Sequence, residues 1–197
     1  MRGTREILNI GNVFKDLQTL ETERLVLRKL TMRDANDVFD YASMPEVSKN
    51  VTWDYHRTIG DSMAFLKSIL MQYEEGLPSP WGIVFKEHNK LIGTGGFHNW
   101  NPEHKRAEVG YAISSKYWNR GIMTETLKEM LRFGFEVMLL NRIEALCKKE
   151  NHSSERVMQK CGMKYEGTLR QQMFVKGEFQ DLKLYSILKE EFQREES

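Results

Sequence analysis

Cysteine, long apolar runs and an excess of either charge are all scarce in this chain, and each scarcity closes off a class of protein. Two cysteines in 197 residues, Cys147 and Cys161, do not make a disulfide framework. The five histidines, His56, His88, His98, His104 and His152, are scattered, and no Cys/His pair stands at metal-ligand spacing. No metal is therefore expected. No apolar stretch approaches the length that spans a bilayer, so no membrane partner is expected either. The first residues, MRGTREILNIGNVF, lack the uninterrupted apolar core and small-residue cleavage site of a secretory signal. The cytoplasm is the expected location. Basic residues number 29 and acidic ones 28, for a net charge of +1, with no basic segment of the kind that follows a phosphate backbone. Nucleic acid is not an expected partner.

What is present describes a soluble globular chain: 40% hydrophobic and 29% charged residues, and enough length to bury a real core. There is no internal repeat and no low-complexity linker. One domain over residues 19–192 is the economical reading, with 1–18 as an N-terminal extension and 193–197 as a short tail. In ETERLVLRKL, Leu25 and Leu27 alternate with Arg24, Val26 and Arg28, which predicts a strand. Thr31 and Asp34 then stand in capping-box spacing before the helix MRDANDVFDYAS, which should stop before Pro45. Met63, Phe65, Leu66, Ile69, Leu70 and Tyr73 recur at helical spacing between Ile59 and Glu75, and Gly76 closes that helix. WGIVFKE, LIGTGGFHNW and AEVGYAI follow as an antiparallel meander, separated by polar turns.

The second half continues with a helix from about Met123 to Leu139, whose buried face is Leu127, Met130, Leu131 and Phe135. RIEALCKK reads as a strand and SSERVMQKCG as a helix with Gly162 just past its C-cap. MKYEGTLR and LKLYSILKE close the chain as strands, joined through a Lys176-Gly177 turn. The expected fold is thus α/β in the α+β sense: a mixed, strongly twisted sheet of about seven strands with four helices.

Two glycine-containing segments invite comparison with phosphate loops. Gly93-Thr94-Gly95-Gly96 is followed by strand-like sequence where a dinucleotide fingerprint needs a helix, so a bulge or a close backbone approach is the better reading. Asn119-Arg120-Gly121-Ile122-Met123-Thr124 does lie between a strand and a helix N-terminus. There the first helical N–H groups and the macrodipole could hold an anion, and Arg120 could add a charge-assisted contact. A plain loop with a helix-entry glycine explains the same residues.

LETERLVLR, LIGTGGF, AEVGYAI, YWNRGIMTETL, NHSSERVMQKCGM, YEGTLR and the closing Gly177, Asp181 and Tyr185 occur in this order. In these motifs the chain resembles the GNAT acyltransferase superfamily, in particular its ribosomal-protein N-acetyltransferase branch, from about Leu20 to Phe192. The resemblance implies that the fourth and fifth strands, AEVGYAI and RIEALCKK, splay apart to admit coenzyme A. It implies acetyl transfer from acetyl-CoA to a primary amine by direct attack, and the branch implies a protein N-terminal α-amine as the acceptor. A polyamine or amino-sugar acceptor, or a non-catalytic acyl-CoA-binding protein, are the alternatives. A homo-oligomer is left open.

Carried over position by position, the family's Gln/Arg-x-x-Gly-x-Gly/Ala loop falls on Trp118 to Met123. The resemblance assigns coenzyme binding to Asn119, Arg120, Gly121, Ile122, Met123 and Thr124. It assigns an oxyanion-stabilising backbone N–H to Ala112 or Ile113. Asn151 and Ser154 match the family's Asn-x-x-Ser, which implies pantetheine contact for the first and proton donation to the leaving thiolate for the second. Both are also good helix-capping types. The amine must lose a proton before attack, and Glu108, sharing a strand face with Arg106, Gly110 and Ala112, is the candidate base. An ion pair with Arg106 is the plainer role for it. The branch's alternative position for an acid, Gln171-Gln172-Met173, holds no carboxylate.

Overall fold

The computed structural model describes residues 13–195. One sheet runs in the order β1-β2-β3-β4-β5-β6-β8-β7. Its strands are β1 (Leu20–Glu21), β2 (Leu25–Arg28), β3 (Pro80–Phe85), β4 (Lys90–Asn101), β5 (Arg106–Ile113), β6 (Arg142–Lys148), β7 (Lys164–Val175) and β8 (Glu178–Leu188). The helices are α1 (Ala35–Ala42), α2 (Pro45–Ser48), α3 (Ile59–Glu75), α4 (Ile122–Glu136), α5 (His152–Lys160) and α6 (Lys189–Glu195). The expected class is therefore observed, with eight strands in place of about seven and six helices in place of four.

Three local effects make the difference. The first expected strand folds back on itself at Thr22, where Thr22 N donates to Leu25 O (3.0 Å) and Leu25 N to Thr22 Oγ1 (3.1 Å). Leu20 then pairs with Leu27, and one strand becomes two. Pro45 does end α1, but as the first residue of α2 it also starts a helix, because its fixed φ suits that position. The last residues after Leu188 turn into α6 and place Phe192 against Phe135, ring centroids 5.1 Å apart. Of the stretch read as an extension, residues 1–12 lie outside the described residues. Phe14 and Leu17 are buried in the core, and Gln18 O accepts from Trp81 Nε1 (2.8 Å).

Periodicity accounts for most of the rest. Leu25 and Leu27 are buried on one face of β2. Leu127, Met130, Leu131 and Phe135 form the buried stripe of α4. Capping boxes at Thr31/Asp34 and Thr58/Asp61 open the first helical segments, and Gly76 closes α3 in the left-handed conformation. Consecutive residues of β4 meet opposite layers: Thr94 touches Tyr41 of α1, whereas a side chain on Gly95 would meet Met130 of α4. The sheet is therefore covered on both faces.

All neighbouring strands are antiparallel except β5 and β6. That parallel pair is joined through α4 and is short, from Arg106↔Arg142 to Val109↔Ala145. Beyond it β5 stays with β4 as far as Ile113↔Gly93, and β6 stays with β8 as far as Lys148↔Leu182. Each strand follows its other neighbour, and the two part. The expected splay is present, and it leaves backbone groups of Gly110–Ile113 without a strand on that side.

The glycines of β4 serve close approach, as their strand context implied. A Cβ on Gly93 would stand 2.3 Å from Ala112 O and 2.8 Å from Ile113 Cα. One on Gly96 would stand 2.5 Å from Pro80 Cα. Backbone cannot yield as a flexible side chain can. Gly93→Ala should therefore cost about 2–3 kcal/mol of stability by urea denaturation, in the upper range for overpacking.

Candidate active site

The parting of β5 and β6 opens a cavity of about 720 Å³. One end is walled by Ile113, Tyr117 to Asn119, Gly121 to Thr124 and the first turns of α5. The other is walled by Val47 of α2 and Asn50 to Trp53 after it, by His98 and Glu108, and by Met173, Val175, Gln180 and Leu182 from the β7–β8 hairpin, while Glu46 lies beside Ser115 just past the end of β5. The structure thus brings Glu108, Ala112, Ile113, Asn119, Gly121, Ile122, Met123, Thr124, Asn151 and Ser154 to one cavity. Arg120 lies in the same turn without lining it.

At the first end, the backbone turns at Asn119 (φ 58°) and Gly121 (φ 73°), both left-handed. Asn tolerates this region better than most residues, and glycine adopts it freely. α4 begins at Ile122 with no side-chain cap, so its first N–H groups are left for another acceptor. Met123, bulkier than the small residue usual in the family's loop, is buried and directs its side chain to the core. Trp118 Nε1 donates to Ile113 O (3.0 Å), which ties the turn to the end of β5. The Arg120 guanidinium lies over the Tyr117 ring, 5.6 Å from its centroid.

A second tie was not visible in the sequence. Glu125, in the first turn of α4, accepts from Thr22 Oγ1 (2.5 Å), Arg24 N (2.9 Å) and Arg24 Nε (2.7 Å). Arg24 Nη1 also donates to Arg120 O (3.0 Å). The β1–β2 turn therefore clamps the loop from behind. Burial favours the neutral acid, yet these hydrogen bonds outweigh it and hold the Glu125 carboxyl below its ordinary range. No spacing rule links residues about 100 apart in the chain.

In the middle of the cavity Asn151 Oδ1 accepts from Ser154 N (3.1 Å), so Asn151 is the N-cap of α5. The Ser154 hydroxyl shares a hydrogen bond with Tyr111 OH from β5 (2.8 Å). Burial pushes the Tyr111 phenol well above its usual range, so it stays protonated at all ordinary pH values. Nothing in AEVGYAI marks Tyr111 for this role, since its contact with α5 exists only across the splay.

At the second end Glu108 does not pair with Arg106, which instead donates to Glu144 (3.2 Å). Glu108 Oε1 lies 2.9 Å from His98 Nε2, and Oε2 accepts from Asn99 Nδ2 at 2.9 Å. Burial opposes its charge, but the His98 and Asn99 contacts prevail and the carboxyl sits below its ordinary pKa. Glu46, the other carboxylate of the lining, accepts from Ser115 Oγ (2.8 Å). The wall of residues 46–53 is fastened by Lys148 Nζ to Lys49 O (3.1 Å) and by Lys176 Nζ to Ser48 O (2.5 Å). Trp53 lines the cavity; Tyr55 and Phe174 are exposed, and Trp100 packs on Phe14. Both cysteines are buried. Tyr185 OH donates to Glu155 Oε1 (2.6 Å), and Asp181 Oδ1 accepts from Gln171 N (2.9 Å).

Among the described residues, no group of three or more His, Cys, Asp or Glu is placed to hold a metal ion, and no helix is long and apolar enough to cross a membrane. A family model for the acetyltransferase (GNAT) domain matches residues 24–164. The uncharacterized N-acetyltransferase YoaA of Bacillus subtilis is 35% identical over 170 residues, covering 86% of this chain and 96% of that protein. The ribosomal-protein-serine acetyltransferase of Escherichia coli is 26% identical over 148 residues, 71% of this chain and 82% of that protein. The crystal structure of the GNAT-family acetyltransferase from Bacillus anthracis matches with a TM-score of 0.78 at 32% identity, over 88% of this chain and 100% of that one.

Glu125→Ala removes the clamp on the loop. It should lower stability at pH 7 by about 2 kcal/mol, the scale of hydrogen bonds to a charged group, and weaken coenzyme A binding several-fold. Because the folded pKa lies below the unfolded value of about 4.3, the contribution is complete above that value and is lost as pH falls through the folded one. Urea melts of both proteins between pH 7 and pH 3 should show their difference shrinking with acid.

Proposed function

The chain belongs to the GNAT acetyltransferase family, and from that premise we propose that it transfers the acetyl group of acetyl-CoA to the α-amine of a protein N-terminus. The observation that carries the choice of acceptor is the charge of the cavity. Glu46 and Glu108 are the carboxylates of its lining, and each is already engaged, by Ser115 and by His98 with Asn99. Lys148, Arg156 and Lys160 line it as well. A polyamine carries several positive charges and needs unengaged carboxylates spaced along its length. Beside Glu108 and His98, the acceptor end is lined by uncharged residues: Val47, Val51, Trp53, Met173, Val175 and Leu182. Such a surface suits the first residues of a peptide, with one amine to be recognised.

The residues present fit coenzyme A. In this reading the free N–H groups from Asn119 to Thr124 hold the pyrophosphate at the start of α4, where the helix dipole adds to them, and Arg120 supplies charge. The unpaired edge of β5 at Ala112 and Ile113 pairs with the pantetheine amides and presents an N–H to the thioester carbonyl oxygen. Asn151, its Oδ1 committed to capping, keeps Nδ2 to donate to pantetheine. Ser154, oriented by Tyr111, gives a proton to the departing thiolate. Glu108 supplies the carboxylate toward which the amine's proton moves. An α-amine with a pKa of about 8 is mostly protonated at neutral pH, so this removal precedes attack.

The deciding measurement is acetyl-CoA turnover, read as free thiol, against N-terminal peptides, spermidine and amino-sugars. Peptides should be the best acceptors; a clear preference for spermidine would overturn the acceptor assignment. Coenzyme A should raise the thermal midpoint. Glu108→Gln should lower kcat/KM by about 10²-fold, and an unchanged rate with an unchanged pH profile would remove Glu108 from the reaction. Ser154→Ala should lower turnover more than coenzyme affinity, whereas equal losses would mean a structural role.

A further inference from the structure

The carboxylate expected to act as base is poorly free to do so. Both Glu108 oxygens are engaged, its side chain is only 16% exposed, and its pKa is lowered. His98, directly across from it in the β4–β5 register, is 46% exposed and lines the same cavity. We propose that His98 is the group that takes the proton from the acceptor amine, and that Glu108 acts through it. This inference rests on the amine-acetylating reading given above.

Three observations place His98 for that task. An ionised carboxylate only accepts hydrogen bonds, so the 2.9 Å contact to Glu108 Oε1 puts the hydrogen on Nε2. Nδ1 is then the nitrogen with a free lone pair, and it has no hydrogen-bond partner among the described residues. The ring also lies over Gly110: a Cβ there would stand 2.8 Å from His98 Cε1 and 3.5 Å from Nδ1. Gly110 is the first residue of β5 beyond the last pair with β6, Val109↔Ala145. The absence of a side chain at the fork is what lets the imidazole settle there, beside the point where the strands open.

The ring faces one carboxylate at hydrogen-bonding distance. From β5 it is faced by Glu108, while Arg106 on the same strand is drawn away to Glu144 of β6. From β3 the neighbour of Gly96 is the uncharged Pro80. A carboxylate fixed on Nε2–H stabilises the imidazolium that forms. In the step itself, His98 Nδ1 takes one proton from the ammonium, and the freed amine forms a C–N bond with the thioester carbonyl carbon. As the C–S bond breaks, the nitrogen gives up a second proton and the sulfur receives one through Ser154. His98 then returns its proton to water, which leaves amide, free thiol and one released proton.

His98→Ala tests this, with turnover of an N-terminal peptide as readout and exogenous imidazole as probe. The variant should bind coenzyme A as the parent does and lose about 10²-fold in kcat/KM at pH 7. Imidazole should restore part of the loss. Adding Glu108→Gln to His98→Ala should cost far less than it does in the parent, because the two groups act as one. Wild-type turnover by His98→Ala, or a loss that imidazole does not relieve, would overturn the assignment while leaving amine acetylation intact. A parent protein that acetylates no amine would overturn both.

Discussion

Past Val109 and Ala145, two parallel strands stop sharing hydrogen bonds, and the site is built around that parting. The cause lies in the neighbours. β5 is held by β4 through Ile113, and β6 is held by β8 through Lys148. Each is committed on its outer edge to an antiparallel partner, and the twist of the sheet carries those partners in different directions. An unpaired backbone edge inside a protein is costly unless something binds it. Here the unsatisfied edge borders a cavity, where a ligand with amide groups along its length could complete it.

The parting has to be held open, and several long-range ties do so. Close packing of Gly93 against Ala112 and Ile113 fixes the free end of β5 from one side. Trp118 reaches back to Ile113 O and couples that end to the turn before α4. Arg24, Thr22 and Glu125 hold the turn against the β1–β2 hairpin. The phosphate-binding geometry proposed for residues 119–124 therefore depends on residues about 100 positions apart in the chain. At the acceptor end, Lys148 and Lys176 secure the wall of residues 46–53 through main-chain oxygens. A cavity between two strands is kept in shape chiefly by contacts that neither strand makes itself.

Much of the fold was legible from local chemistry. Alternation in Leu25 and Leu27, helical spacing in α3 and α4, and the capping Thr31 all act within one or two turns of chain, where local pattern is decisive. Boundaries were less legible where a small tertiary gain overrides a pattern. The fold-back at Thr22 split one expected strand, and the burial of Phe192 made a helix of residues first read as the end of a strand. At the site, the residue types of the turn and of β5 were visible, but not their partners. Glu108 was weighed against Arg106, two residues away on the same strand face; its actual neighbours, His98 and Asn99, belong to the adjacent strand. Tyr111 could not be linked to Ser154 without knowing that β5 and α5 face one another across the opening.

The sequence by itself determined the order of the main elements and the position of a helix start preceded by a glycine-containing turn. Those properties follow from side-chain periodicity and from the backbone preferences of glycine, asparagine and proline, which act over a few residues. Only the tertiary structure decided which hydrogen bond each functional side chain makes, because that depends on strand register and on the point where two strands separate. A shift of one residue in the β4–β5 register would remove His98 from Glu108 and change the proton chemistry of the site without altering a single amino acid.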